Sequence, residues 1–191
     1  MIFRAIFAAA SMALCAGQGL AADAPSPAEP THAEKLDKLY ARLAKADDPK
    51  AADAIVRLIG EENLQSGSDS ANLLLARALA AKSGEHDDVA LDILDNLVVL
   101  RPEWSQAWSK RAAFRLETGD ESGAMQDFAQ TLKRDPRDLD ALAGLGAVLA
   151  HGQKYDEAEK VFAQALALAP AFQPLVDAET QLKAAIAAHS L

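Results

Sequence analysis

Apolar residues recur at helical spacing along most of this 191-residue chain, and short polar segments containing glycine or proline separate the periodic stretches. No stretch alternates convincingly between apolar and polar residues, as a half-exposed β-strand would. The pattern therefore predicts an all-α chain. The predicted helices cover residues 33–46, 51–65, 70–83, 87–100, 104–118, 121–134, 138–151, 155–168 and 172–188.

The same residue types also return every 34 positions, as Pro102, Pro136 and Pro170 show. Each proline follows the second helix of a predicted pair, where its ring and missing N–H prevent continuation. Small and bulky residues recur at fixed places before each proline, and we expect them to pack the repeat. They are Leu74, Ala78, Ala90 and Leu94, then Trp108, Ala112, Ala124 and Phe128, then Leu142, Gly146, Ala158 and Phe162. This period predicts stacked helical hairpins that bury their apolar faces against one another.

These blocks resemble the tetratricopeptide repeat, a helix-turn-helix unit of this length. Residues 105–136 and 139–170 match it well and residues 71–102 match it fairly. The resemblance implies a right-handed α-solenoid of antiparallel helical hairpins. Arg77 and Arg111 stand where the family prefers leucine. Either the packing is looser there, or the arginine stems lie along the hairpin with their charged heads in water.

Turns and chain ends complete the predicted solenoid. Gly84, Gly119 and Gly152 mark the expected ends of the first helices, because glycine can adopt the left-handed conformation that closes a helix. Residues 33–67 keep the period in Tyr40 and Ala44, but their second helix fits only after a shift of two residues. We expect a degenerate first repeat there and a capping helix at residues 172–188, since terminal units face water on one side.

Residues 1–22 predict a secretory signal peptide. Arg4 precedes an apolar run of about a dozen residues, whereas a membrane span needs roughly 20. Cys15, the one cysteine of the sequence, lies in this segment, and Leu14 before it argues against lipidation. Residues 23–32 hold three prolines and predict a flexible linker. Export without a disulfide framework favours the bacterial periplasm, and we expect no transmembrane segment in the mature chain.

Charge and motifs argue against several other functions. The net charge of −9, with lysines and arginines scattered among acids, disfavours nucleic-acid binding. The four histidines lie in different segments, and neither a nucleophile motif nor a phosphate-binding loop is present. Asp135, Asp138 and Asp140 lack the spacing of a calcium loop, and we interpret them as solvated helix caps. We expect no catalytic residue, cofactor or metal site, and hence no enzyme.

In proteins of this family the first helices of successive hairpins line a concave groove. If this chain follows them, small residues dominate the centre of its groove and leave room for a helix or an extended peptide. The lysine, arginine and asparagine clamp by which some relatives grip a peptide carboxylate is largely missing. The predicted partner-binding residues are Asn72, Leu75, Leu79, Lys82, Gln106, Ser109, Ala113, Glu117, Asp140, Ala143, Ala147 and His151.

The sequence thus predicts a non-enzymatic protein–protein interaction module or scaffold of the bacterial periplasm, which binds a peptide or helix of a partner. The alternative is a structural or self-associating cell-envelope subunit whose groove is filled by its own C-terminal helix. Trp104 lies just before the repeat pattern, and it either packs into the core or anchors a partner.

Overall fold

The structure, a computed structural model, describes residues 30–189. Every regular element in this range is helical, so the predicted all-α fold is confirmed. The predicted signal peptide with Cys15, and nearly all of the linker 23–32, lie outside the described residues. The helices are α1 (His32–Leu43), α2 (Pro49–Asn63), α3 (Asp69–Ser83), α4 (Asp87–Leu100), α5 (Ser105–Glu117), α6 (Glu121–Arg134), α7 (Leu139–His151), α8 (Tyr155–Leu168) and α9 (Gln173–His189).

Three antiparallel hairpins, α3–α4, α5–α6 and α7–α8, stack in succession, and α9 packs on α8 as the first helix of a further unit would. The recurring small residues allow this close approach. Ala78, Ala90, Ala112, Ala124 and Ala158 are at most 1% exposed. The bulky partners Leu94, Phe128, Leu142 and Phe162 are buried between them, while Leu74 and Trp108 are half-buried. Pro102, Pro136 and Pro170 lie in the turns between hairpins.

The turn inside each hairpin has its left-handed residue at one fixed place in the repeat. Glu85, Gly119 and Gln153 occupy this place in successive repeats and have φ angles of 59°, 87° and 57°. The N–H of the next residue can then bond to a carbonyl five residues back, at 2.8 to 3.0 Å in the three turns. The prediction that a glycine takes the left-handed conformation in each of these turns is therefore correct only at Gly119. At Gly84 and Gly152 the residue after the glycine takes the left-handed conformation.

Two glycines of α7 make room for aromatic rings of the neighbouring second helices. A Cβ at Gly144 would overlap the Phe128 ring, and one at Gly146 would lie 2.8 Å from the Phe162 ring. Both approaches are far closer than van der Waals contact, so each ring occupies the space that a side chain would need. The two missing side chains therefore permit the close approach of α6 and α8 to α7.

Arg111 of α5 connects three helices through a largely buried ionic network. Its guanidinium donates to both carboxylate oxygens of Asp127 in α6, at 2.7 and 2.8 Å, and to Asp95 in α4 at 2.7 Å. Arg115 donates to Asp127 as well, at 3.0 Å. Burial alone would lower the pKa of Arg111, but its bonds to the two carboxylates raise that pKa above its ordinary value. The sequence predicted either looser packing at Arg111 or a charged head in water, and neither prediction is correct, because the guanidinium is charged and paired inside the stack. Arg77, by contrast, is exposed.

The N-terminal hairpin, α1 and α2, does not continue the stack. Helix α4 packs along α5, and α6 packs along α7, but α2 makes few contacts with α3. Apolar residues of the N-terminal hairpin instead share a core with residues of α7, α8 and α9, among them Leu139, Ala169 and Leu175. Residues 33–67 thus form a helical hairpin that lies across the side of the stack rather than at its end.

Polar contacts hold the N-terminal hairpin against the turns between stacked hairpins. The Tyr40 hydroxyl donates to the carbonyl of Arg137 at 2.8 Å. The Arg137 guanidinium lies 4.5 Å from the centroid of the Tyr40 ring and pairs with Asp37 at 2.7 Å. At the other end of the hairpin, the indole N–H of Trp104 donates to the carbonyl of Asn63 at 3.2 Å. The N-terminal hairpin therefore spans the starts of α5 and α7.

The glycines give a paired test of this packing. We expect Gly144→Ala to lower the free energy of unfolding by about 1–3 kcal/mol, because the new methyl group displaces the Phe128 ring. Gly60→Ala is the control, since a Cβ there meets no atom within 4 Å. It should raise stability by about 0.5–1 kcal/mol through helix propensity alone. Urea unfolding followed by circular dichroism measures both, and a stabilising Gly144→Ala would contradict the packing account.

Candidate partner-binding groove

The predicted groove residues lie on α3, α5 and α7, and the structure divides them into a covered and an open group. Leu75, Gln106 and Ser109 are 2%, 4% and 1% exposed. All three lie in the first two turns of their helices. The half-buried or exposed group consists of Asn72, Leu79, Lys82, Ala113, Glu117, Asp140, Ala143, Ala147 and His151. A partner therefore has access mainly to the later turns of these helices.

The N-terminal hairpin closes the groove at the starts of α5 and α7. Tyr40, Ile59 and Asn63 from the hairpin, and Gln106 and Asp138 from the stack, line a gap of only about 30 Å³. A peptide cannot enter a gap of that size. Gln106 was predicted to face a partner, but in the structure it faces the chain's own hairpin.

Asp138 is the polar centre of this covered end. Its carboxylate accepts hydrogen bonds from the N–H of Ala141 at 2.8 Å and from the Gln106 amide at 2.6 Å, and the Ser109 hydroxyl lies at 3.5 Å. Burial raises the pKa of Asp138 to about 6, the charge of Asp140 adds to the rise, and the Ala141 N–H opposes it. The predicted capping role is correct, but the residue is 2% exposed, so the prediction of a solvated cap is wrong.

The open end of the groove contains a recess between α7 and α9. Its volume is about 260 Å³, slightly below the range of roughly 300–1,000 Å³ that is typical of small-molecule pockets. The recess suits one or two side chains of a larger partner. Its lining residues are Ala147, Ala150, Phe162, Ala178, Gln181, Leu182 and Ala185. Because α9 forms one wall of the recess, the C-terminal helix does not fill this part of the groove as the alternative interpretation required.

Charged side chains along the groove pair between helices. Lys82 lies 2.6 Å from Glu117 and connects α3 to α5, while Lys110 lies 3.0 Å from Asp140 and connects α5 to α7. His151 of α7 lies 2.6 Å from Glu121 of α6. Exposed pairs of this kind contribute little stability, but they engage both lysines with carboxylates. The groove thus combines a centre of small residues with a rim of ion pairs.

Trp104 packs into the core. Its side chain is 8% exposed and belongs to the apolar cluster of α3 and α4 that includes Ala71 and Leu94. Its N–H is satisfied by the Asn63 carbonyl. Of the two interpretations of this residue, packing is correct.

Sequence reasoning missed the residues that close the groove. Tyr40 was noted only for its place in the period, and Arg137 only as one of many scattered charges. The available signal was the two-residue shift of the second helix in residues 33–67. A unit out of register with the repeat cannot bury the same face against its neighbour.

Between residues 30 and 189, no three histidine, cysteine, aspartate or glutamate side chains are grouped as a metal site requires. In the same range, no helix has the length and apolar character needed to cross a membrane.

Stacked antiparallel hairpins, with a recess between the first helices α7 and α9, define this protein as an α-solenoid. A model of the tetratricopeptide repeat matches residues 115–186. A TPR repeat-containing protein of Rhizobium etli is 33% identical over 118 residues, which is 62% of this chain and 58% of that protein. The match thus spans little more than half the length of that relative. Residues 115–186 thus match the tetratricopeptide repeat (TPR) family, and the stacked hairpins have a TPR-like fold.

Solved structures share the fold. The Arabidopsis OM64 TPR domain superposes with a TM-score of 0.57 at 23% identity, covering 63% of this chain and 97% of that domain. The second TPR domain of human RPAP3, determined in complex with an HSP70 peptide, gives 0.54 at 18% identity, covering 59% and 98%. At these sequence identities, the similarity shows a shared fold and nothing more specific.

The burial of Asp138 predicts a specific pH dependence. Because its folded-state pKa lies above the ordinary 3.8, the ionised form costs stability above about pH 6, and this cost disappears as the pH falls toward 4. Wild type should therefore gain roughly 2–3 kcal/mol relative to Asp138→Asn between pH 7 and pH 4. Urea titrations of both proteins across this range measure the difference. A constant difference would show that its hydrogen bonds cancel the effect of its burial, and a change of opposite sign would show that they outweigh it.

Proposed function

We propose that this protein is a non-enzymatic interaction module of the bacterial periplasm that holds a peptide or helix of a partner protein in the open part of its groove. The recess between α7 and α9 is the observation that carries the proposal. It is concave, lined mostly by alanines, and continuous with the exposed side chain of Ala147. The match of residues 115–186 to the TPR family supports protein binding in general, and the RPAP3 domain was determined with a peptide bound.

The side chains around the recess suggest how such a partner is recognised. Alanines on two facing helices let a backbone approach closely, so shape complementarity supplies most of the contact. Along the rest of the groove, the Lys82–Glu117 ion pair and the His151–Glu121 hydrogen bond provide polar groups. Since Lys82 is paired and Ala113 and Ala143 are uncharged, we propose an internal segment of the partner as the ligand rather than a free C-terminal carboxylate.

Ala147→Arg tests the groove directly. Ala163→Arg is the matched control, because Ala163 is also an exposed alanine of a stacked helix, but it does not line the recess. Peptides are first selected on the wild-type protein from a random library, and their affinities are then measured by fluorescence polarisation. We expect Ala147→Arg to weaken binding at least about tenfold, the effect of about 1.4 kcal/mol, and Ala163→Arg to change it less than twofold. Equal binding by both variants would rule out this recess as the site.

The periplasmic part of the proposal is supported by residues 1–22, with Arg4, the apolar run and the absence of acids. N-terminal sequencing of protein purified from an envelope fraction tests it. Cleavage should fall around Ala21–Ala24, and the mature chain should begin there. Recovery of a chain that still carries Met1 would refute export by cleavage.

A further inference from the structure

Phe128 and Phe162 occupy the same position of successive repeats, but their rings pack on glycines in different helices. The Phe128 ring takes the space of a side chain at Gly144, in the first helix of the next hairpin. The Phe162 ring takes the space of a side chain at Gly146, in the first helix of its own hairpin. The first ring thus reaches forward along the stack, and the second reaches back into α7.

A glycine and an alanine exchange places between these two packing sites. For Phe128, the residue of its own hairpin that corresponds to Gly146 is Ala112, and the glycine lies in the next first helix. For Phe162, the next first helix is α9, and Ala178 stands where α7 has its glycine. Because close-packed interiors leave no room for both a Cβ and a ring, the position of the glycine decides which helix the ring enters.

The recess between α7 and α9 lies beside the Phe162 ring, which is one of its lining residues although it is only 3% exposed. The core cluster that contains this ring also contains Leu142, Ala165 and Leu175, all at most 1% exposed. A packed core of this kind leaves little free volume on its own side of the ring. The recess is therefore the space into which the ring can move.

A side chain at position 146 would push the ring in that direction. A Cβ on Gly146 would lie 2.8, 2.9 and 3.0 Å from three carbons at the far edge of the Phe162 ring. Contacts this short are not tolerated, so the ring has to shift. A shift toward α9 makes the recess shallower.

The lining of the recess defines which side chain it accepts. Its seven lining residues are all uncharged, and Gln181 alone among them has a polar side chain. A charged side chain would lose its hydration there without an opposite charge in compensation. Since an apolar cavity of about 150 Å³ accommodates benzene, the volume of about 260 Å³ admits one leucine, methionine or phenylalanine side chain.

We propose that the recess is the specificity pocket of the groove, that it receives one bulky apolar side chain of the partner segment, and that Gly146 sets its depth by holding the Phe162 ring inside α7. This inference rests on the proposed function. Gly146 does not touch the partner. It is a positioning residue that acts through Phe162.

The position of the ring is measured first, without any peptide. Gly146→Ala is compared with Gly144→Ala, which creates the same kind of clash at Phe128, a ring that does not line the recess. The methyl groups of Ala178 and Leu182 line the recess and report movement of the Phe162 ring through its ring current in ¹³C-methyl NMR spectra. We expect both resonances to shift in Gly146→Ala and to keep their wild-type positions in Gly144→Ala.

Peptides selected on the wild-type protein then test the pocket by fluorescence polarisation. One leucine, methionine or phenylalanine should recur in them, and its replacement by alanine should weaken binding at least about tenfold. Gly146→Ala should weaken binding by about the same factor, and Gly144→Ala less than about twofold. Combining Gly146→Ala with Phe162→Leu should restore the affinity to within about threefold of wild type, because the smaller side chain leaves the recess open.

Four results would overturn the proposal. They are unchanged methyl resonances in Gly146→Ala, equal binding by the two glycine variants, selected peptides without a recurring bulky apolar residue, and no recovery of affinity in the double variant. If Ala147→Arg weakens binding and Gly146→Ala does not, the groove remains the binding site and the specificity pocket is refuted. If Ala147→Arg has no effect, the proposed function itself is refuted.

Discussion

Burial of the first helices α5, α7 and α9 by the hairpin that precedes each is the constraint on which the rest of this structure depends. A helical hairpin of this length has apolar residues on more than one face and can satisfy only some of them internally. The stack buries the remaining apolar faces. Ala107, Ala141 and Leu175, for example, are each covered by the hairpin before them. The same constraint explains α9. This helix covers α8, which is the second helix of the last stacked hairpin.

One junction of the stack is polar as well as apolar. Asp127 is 2% exposed and receives donors from both Arg111 and Arg115, and Arg111 continues to Asp95 on the preceding hairpin. Desolvating these groups is costly, and their mutual bonds offset that cost only when the geometry is right. Bidentate geometry between guanidinium and carboxylate is directional, so this network specifies the register of α4, α5 and α6 more than it adds stability.

Much of the fold follows from the sequence, because the 34-residue period reports which positions are apolar and where helices stop. The observed helices begin and end within three residues of the predicted ones. The period does not report which surface covers an apolar face. Leu36, Leu43 and Ile55 have helical spacing compatible with stacking on α3, yet they pack in the core shared with α7, α8 and α9. For the same reason, burial of Gln106 and Asp138 was not predictable from spacing.

The matched shapes of Phe128 and Gly144 have a consequence for how this chain can diverge. The ring and the missing side chain occupy one volume, so neither residue can vary alone without leaving a clash or a void. Phe162 and Gly146 form a second such pair close by on α7. In related chains that keep this packing, a smaller residue at position 128 or 162 should accompany alanine or serine at position 144 or 146. The two pairs would then covary as units, independently of the side chains that face the groove.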